Sequence, residues 1–407
     1  MKNAGVLSER GVLVEYFCGD FGRNGDLAKA GVAVHAVGAN DLRSSSFAMA
    51  VARGLYNFSA ARQLKSLIRS KDTPDTLYHV HNWSKILSPS IFDALRPVMD
   101  RVVLTAHDYF LACPNGGYFH FQRGVPCTAK PLSFGCLGAN CDRRSRLEKT
   151  WRIARDIERR ALMNLSGSLA TVLAVHDGMI PLLERGGIPA GHIKSLRNPV
   201  ESWSTERVRA EENREFLFVG RLEHDKGVIL LAEAAKQAKV PITFVGEGAL
   251  GSEIASINPD AKLVGFKDRA ALREIAARVR CLVVPTRSRE TFSLVAYEAL
   301  TSGIPVIISD FATTRDEILE SGVGIACNPY EAGALTRTLV ELARDDDGVF
   351  RMSLEGFLHR HTLTLSSQDW ERALLDVYCQ QAKVAEIRHR ALTRGGSGSA
   401  ASLHLLG

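Results

Sequence analysis

The sequence predicts an α/β protein of two doubly wound domains, each a parallel sheet between helical layers. Apolar runs of four to six residues alternate with helix-period segments along nearly the whole chain, as buried parallel strands and their crossovers require. A polar, strand-poor stretch, RNPVESWSTERVRAEENRE at 197–215, splits that alternation in two. The 407 residues leave each half long enough to bury its own core. With 45% hydrophobic and 24% charged residues, the composition excludes fibrous, coiled-coil and globally disordered chains.

In the first half, strands are expected at 11–17, 32–38, 77–81, 102–107 and 169–175, with helices near 47–69, 88–96 and 145–165. This domain is assigned to residues 1–200, with a cysteine-rich insertion at 108–145. The second half is more regular. EFLFVGRL from Glu215 is a buried strand, and 227–239 is a helix ended before Pro241. ITFVG, AKLVGF, CLVVPT, PVIISD and GIACNP follow as strands, with a helical segment in every gap, so this domain is assigned to 215–365. A final amphipathic helix is expected at 366–385, and the remainder, 386–407, ends in low-complexity sequence and reads as disordered.

No run approaches the ~18–20 apolar residues of a membrane span. The opening MKNAGVLSERG carries a charge pair where a secretory leader needs an apolar core, so the expectation is a cytoplasmic protein. The net charge of +6 permits an anionic ligand or a membrane surface but does not argue for nucleic acid. Eight cysteines in a reducing compartment are expected as thiols.

The chemistry-bearing residues cluster at strand ends. Arg221 follows strand EFLFVG at once, and Lys226 and Gly227 lead into the next helix. Loops at the carboxyl ends of parallel strands face the ligand crevice, and two cations beside free helix N–H groups suit a diphosphate. Standing alone, the pair reads equally well as solvated loop charges. Further on, RETFSLVAYEALTSGIPVI follows strand CLVVPT, with Glu290 at the turn and Glu298 inside the helix. Each carboxylate can accept from vicinal hydroxyls, one on a sugar and one on a ribose, while the amides of Thr291, Phe292 and Ser293 can receive phosphate oxygens. In the first half, LYHVHNW and VVLTAHDYF end strands with His81 and Asn82, and with His107 and Asp108, facing the same cleft.

In their order and spacing, FVGRLEHDKG, FVGEGAL, LVGF and VVPTRSRETFSLVAYEALTSGIPVI resemble the donor domain of a GT-B glycosyltransferase of the retaining family 4, with its E-x7-E motif. The resemblance is specific over 215–345 and looser over 77–200. It implies two Rossmann-like domains facing across a cleft, with Arg221 and Lys226 on the donor phosphates, Glu290 on the transferred sugar and Glu298 on the ribose. It further implies His107 beside the reacting sugar, orienting rather than acting as a general base, with His81, Asn82 and Asp108 on the acceptor side. Ser293 departs from the family's usual glycine. GEGALG at 246–251 fits the dinucleotide fingerprint G-x-G-x-x-G, with Asp268 about 20 residues on, and read alone suggests an NAD-dependent oxidoreductase. In the resembling family a similar turn lines the nucleotide pocket, which assigns Gly246 and Gly248 there.

Cys113, Cys127, Cys136 and Cys141 fall within 29 residues. They read as a structural zinc site or as free thiols packing a loop, and gaps of 13, 8 and 4 residues favour the thiols over zinc. The segment also resembles a subset of the family with HDYFLACPN and further cysteines. The next stretch, 143–160, is a basic helix in which Leu147, Trp151, Ile153 and Ile157 form an apolar stripe. That stripe either rests on anionic lipid or docks the helix on its own domain. Relatives begin with a strand, a glycine-rich loop and a long helix, and here 11–17 and 32–38 stand too close together for that helix. The expectation is a hexosyltransferase-type enzyme needing no cofactor, moving a sugar from a UDP- or GDP-linked donor to a glycan, here a lipid-linked oligosaccharide at the inner membrane face. A binding protein crippled by the shortened N-terminus is the alternative, and the oxidoreductase a remote one.

Overall fold

The computed structural model describes residues 2–40 and 47–394. In the first half, β1 (Glu15–Cys18) and β2 (Ala33–Ala36) pair in parallel as a sheet of their own. The helix between them is only Gly25–Lys29, capped by the Asn24 side chain. β3 (Tyr78–Val80) and β4 (Val102–Ala106) come next, then a hairpin of β5 (Phe119–His120) and β6 (Val125–Pro126), then β7 (Thr171–Ala174) and β8 (Ile193–Ser195). The main sheet of this half runs β3-β4-β7-β8, all parallel. β8 and the hairpin are too short to show a period of their own, which is why the sequence reading lacks them.

The second half holds β9 (Glu215–Val219), β10 (Ile242–Val245), β11 (Lys262–Leu263), β12 (Val279–Val284), β13 (Val306–Ser309) and β14 (Gly324–Cys327). They form one parallel sheet in the order β11-β10-β9-β12-β13-β14. Strands buried on both faces carry unbroken apolar runs, and every residue of β10, β12 and β13 is buried. The chain direction across the sheet reverses between β9 and β12, which opens a crevice at their carboxyl ends. Both halves are therefore Rossmann-like α/β layers, as expected.

Two expectations need correction. Helix Arg146–Met163 docks largely by its charged side: Lys149, Arg155, Asp156 and Arg159 are buried, while of the apolar stripe Trp151 and Ile153 are half-buried, Leu147 is 80% exposed and Ile157 53%. Arg159 and Arg160 share Asp156 at 2.7 and 2.8 Å, and Arg155 donates to the Ser84 carbonyl over the Trp83 ring. The last helix, Ser367–Arg394, runs past 385 and returns to the first domain. Trp370 and Leu374 pack on Val103, Leu173 and Leu196, Gln381 donates to the carbonyls of Asp100 and Leu169, and Arg388 pairs with Asp100. Of the expected disordered tail, 395–407 lies outside the described residues.

Candidate functional site

The crevice is floored by two loops that need close backbone approach. Gly227 has φ 73°, and a Cβ there would stand 2.0 Å from the Pro285 carbonyl oxygen at the end of β12. The Arg287 amide and the Thr286 hydroxyl both donate to the Asp225 carbonyl, at 2.8 and 3.2 Å, tying the loop after β9 to the loop after β12. Lys226 Nζ consequently donates to Glu290 Oε1 at 2.9 Å. The other oxygen, Oε2, is buried with no partner among the described residues, leaving an acceptor for a hydroxyl. Arg221 is more exposed and pairs with Glu223 at 2.5 Å. Lys226 and Glu290 are thus brought together, whereas Arg221 takes a different partner.

Glu298 accepts from Trp203 Nε1 at 3.2 Å and lies 3.8 Å from Arg269. Trp203, fully buried in the interdomain stretch, is a partner that the sequence reading did not identify. The amides of Thr291, Phe292 and Ser293 donate to no protein group among the described residues. Ser293 sits at φ −91°, ψ 91°, where a side chain costs nothing, so its departure from glycine leaves the turn intact. The Phe292 ring stacks on Tyr297 at 4.8 Å in the core. Gly246 and Gly248 hold the neighbouring loop: a Cβ at Gly246 would meet the Gly220 oxygen at 1.9 Å, and one at Gly248 the Leu222 oxygen at 2.4 Å. These glycines let the loop carrying Arg221 pack closely. The fingerprint also follows β10, whereas a dinucleotide site would sit at the switch-point strand β9.

The opposite wall is a chain of histidines. His107 Nε2 lies 3.0 Å from His81 Nδ1, the His81 and His79 rings are 4.0 Å apart, and His79 reaches Thr105 Oγ1 at 2.7 Å and Tyr378 OH at 2.6 Å. Burial lowers all three pKa values, taking His79 to about 3 and His81 to about 2 with help from the neighbouring rings. The walls meet directly, since Thr291 Oγ1 donates to the His107 carbonyl at 2.9 Å and Tyr109 OH meets Thr313 Oγ1 at 2.8 Å. Asn82 takes φ 42° beside His81 with its side chain exposed. Asp108 accepts from the Phe110 amide at 2.9 Å, and burial raises its pKa.

The insertion crosses to the second domain, with Phe119 against Phe311 at 5.3 Å and Arg143 paired with Asp225 at 3.2 Å. Its cysteines do converge, but not on a cage. Cys113 Sγ donates to Asn115 Oδ1 at 3.1 Å, Asn115 Nδ2 donates to Cys141 Sγ at 3.2 Å, and Lys149 Nζ donates to Cys136 Sγ at 3.6 Å. Among the described residues no three His, Cys, Asp or Glu side chains are grouped to hold a metal. In this arrangement Lys149 places an ammonium beside Cys136, and Cys113, Cys127, Cys136 and Cys141 are not gathered as a ligand set. No helix among the described residues is long and apolar enough to cross a membrane.

Two Rossmann-like domains sharing one cleft are the fold of the GT-B glycosyltransferases. The chain superposes on sucrose-phosphate synthase from Thermosynechococcus elongatus with a TM-score of 0.66 and 17% identity, covering 93% of this chain and 91% of that one. Residues 200–354 match the family model described as glycosyl transferases group 1. Among curated relatives, a glycogen synthase of Mycobacterium tuberculosis is 24% identical over 288 residues, covering 66% of either chain. A GDP-mannose-dependent alpha-mannosyltransferase of Mycolicibacterium smegmatis is 30% identical over 184 residues, 43% of this chain and 46% of that one. The matched regions therefore span about two thirds and under half of these relatives' lengths.

Proposed function

We propose that the protein is a retaining, family 4 type glycosyltransferase that moves a hexosyl group from a UDP- or GDP-linked donor to a hydroxyl of a glycan, a lipid-linked oligosaccharide in polysaccharide assembly. The observation that carries this reading is the Lys226–Glu290 pair, whose free carboxylate oxygen stands where the loop joins His107 through Thr291. Arg221, Lys226 and the amides of 291–293 stabilise the departing diphosphate, where negative charge develops. Glu290 Oε2 accepts from a sugar hydroxyl, and Glu298 accepts from the ribose. The bond from the anomeric carbon to the phosphate oxygen breaks as the acceptor oxygen bonds on the same face, and the acceptor proton passes to the leaving phosphate oxygen. His107, kept neutral by burial, orients the sugars and does not begin as an acid. The cations and amides neutralise the leaving group without a metal.

This reading places the protein at the cytoplasmic face of a membrane. Phe134 at 95% exposure and Leu147, beside exposed Arg143, Arg144 and Arg146, support contact of segment 143–160 and its neighbours with anionic lipid. A second reading, a nucleotide-sugar-binding protein without turnover, draws on the short Gly25–Lys29 crossover.

Calorimetric titration with UDP, GDP and NAD in parallel tests the donor site. One of the first two is expected to bind, and Arg221→Ala/Lys226→Ala to weaken it by about 100-fold. Binding of NAD alone, or of none, sinks the transferase reading, while tight nucleotide binding without transfer to any glycan favours the binding protein.

A further inference from the structure

Three arginines without an acidic partner gather where the insertion meets the second domain. Arg185 ends helix Ile180–Arg185, and its Nη2 donates to the Cys127 carbonyl at 2.8 Å. Its guanidinium lies 4.6 Å over the Tyr118 ring, and its Nε is buried with no hydrogen-bond partner. Arg289 immediately precedes Glu290, and Arg287 stands two residues before Arg289. Arg287 lies 4.9 Å over the Tyr330 ring, and the Nε atoms of both are likewise buried and unpartnered. Burial above all lowers the Arg289 pKa and Arg185 adds to that, while Tyr109, Cys127 and Tyr118 oppose it, with no carboxylate among these influences. None of the three arginines forms an ion pair among the described residues.

A guanidinium keeps its proton, so burial is tolerated when its donors are matched. Two buried arginines of this chain obey that rule, while a third, Arg155, has a backbone acceptor and no acidic partner among the described residues. Arg159 is paired with Asp156, and Arg280 reaches Asp346 and three backbone carbonyls. Arg185 and Arg289, each partly buried, stand as neighbouring like charges whose Nε donors are buried and unmatched. An oxyanion between them would satisfy both.

We infer that Arg185 and Arg289, with Arg287 at the rim, form an anion-binding subsite beside Glu290 for a carboxylate or phosphate group carried by the acceptor. The inference rests on the transferase reading for what the anion belongs to. Arg185, Tyr109, Tyr118 and Cys127 come from the first domain, whereas Arg221 and Lys226 stand on the loop after β9. The subsite narrows the acceptor to an acidic glycan, either phosphorylated or containing a uronic acid.

The test fills the nucleotide site with saturating UDP or GDP, whichever binds, and titrates the complex with inorganic phosphate and separately with glucuronate. At least one anion is expected to bind. Arg185→Gln/Arg289→Gln should weaken it about tenfold or more while the nucleotide affinity shifts by less than about twofold, which also shows that the variant is folded. Arg289→Lys keeps the charge and should weaken binding less than Arg289→Gln does. Phosphate alone points to a phosphorylated acceptor, glucuronate alone to an acidic sugar, and both to a site that reads charge. Binding of neither anion to the wild type, or binding that the double substitution leaves unchanged, overturns the subsite. Should neither nucleotide bind, the transferase reading fails, and the same anion titration without nucleotide still decides whether the arginines form a site.

Discussion

The two walls of the cleft are built on opposite electrostatic terms. The second-domain wall is ionic: Lys226 with Glu290, Arg221 with Glu223, and Arg269 beside Glu298, all partly open to solvent. The first-domain wall is a half-buried chain of His79, His81 and His107, neutral chiefly because of desolvation. The difference teaches where charge can be kept. A carboxylate and an ammonium that pair with each other can wait at an open rim and exchange partners for phosphate and hydroxyl groups. Stacked imidazoles under a helix cannot, and they serve as a fixed surface.

The largest expected effect comes from removing one charge of the ionic wall without changing its shape. Glu290→Gln should lower kcat about 1,000-fold while nucleotide diphosphate affinity stays within about threefold. Unchanged turnover, measured by donor consumption, would remove Glu290 from the chemistry.

The next attacks the scaffold beneath that wall. In Gly246→Ala the new Cβ would collide with the Gly220 oxygen, at 1.9 Å in the present geometry and at φ 135°. A loss of roughly 2–4 kcal/mol in urea unfolding is expected. Unaltered stability would mean that the two loops can part freely, and that the ionic wall needs no such support.

The third effect, smaller at any one pH, charges the neutral wall. His79 and His81 titrate near 3 and near 2 when folded, against about 6.5 in an unfolded chain. Between those values the unfolded state binds the extra protons. Stability is therefore full above about pH 6.5 and is lost as pH falls, by about 1.4 kcal/mol per pH unit for each histidine. Urea midpoints followed from about pH 7.5 to 5 should show that slope, and His79→Asn should reduce it. A flat profile would show that the folded wall accepts protons.

The two domains were not equally readable. From β9 to β14, most strands are apolar runs bounded on one side by Pro or Gly, so the sheet could be read locally, down to the loops bearing Arg221, Lys226 and Glu290. In the first domain the same rules place a helix correctly at 146–163 but misread its inner face: Leu147 and Ile157 look like its docking stripe, yet Lys149, Arg155 and Arg159 are the residues inside. An apolar period says which face could be buried cheaply. It does not know that Asp156 and the Ser84 carbonyl wait on the other side. The cysteines show the same limit, because their spacing does not reveal Lys149 among them.

By itself the sequence determined the α/β class, the division into two sheets and the strand ends where charged residues stand. Those depend on periodicity and chain punctuation, which are local properties. Only the tertiary structure decided the partners: Tyr378 for His79, Trp203 for Glu298, Thr291 for the His107 carbonyl, and Arg185 beside Arg289. Such pairs join positions far apart in the chain. Burial, protonation and unmet hydrogen bonds belong to the pair and not to either residue, so no local pattern carries them.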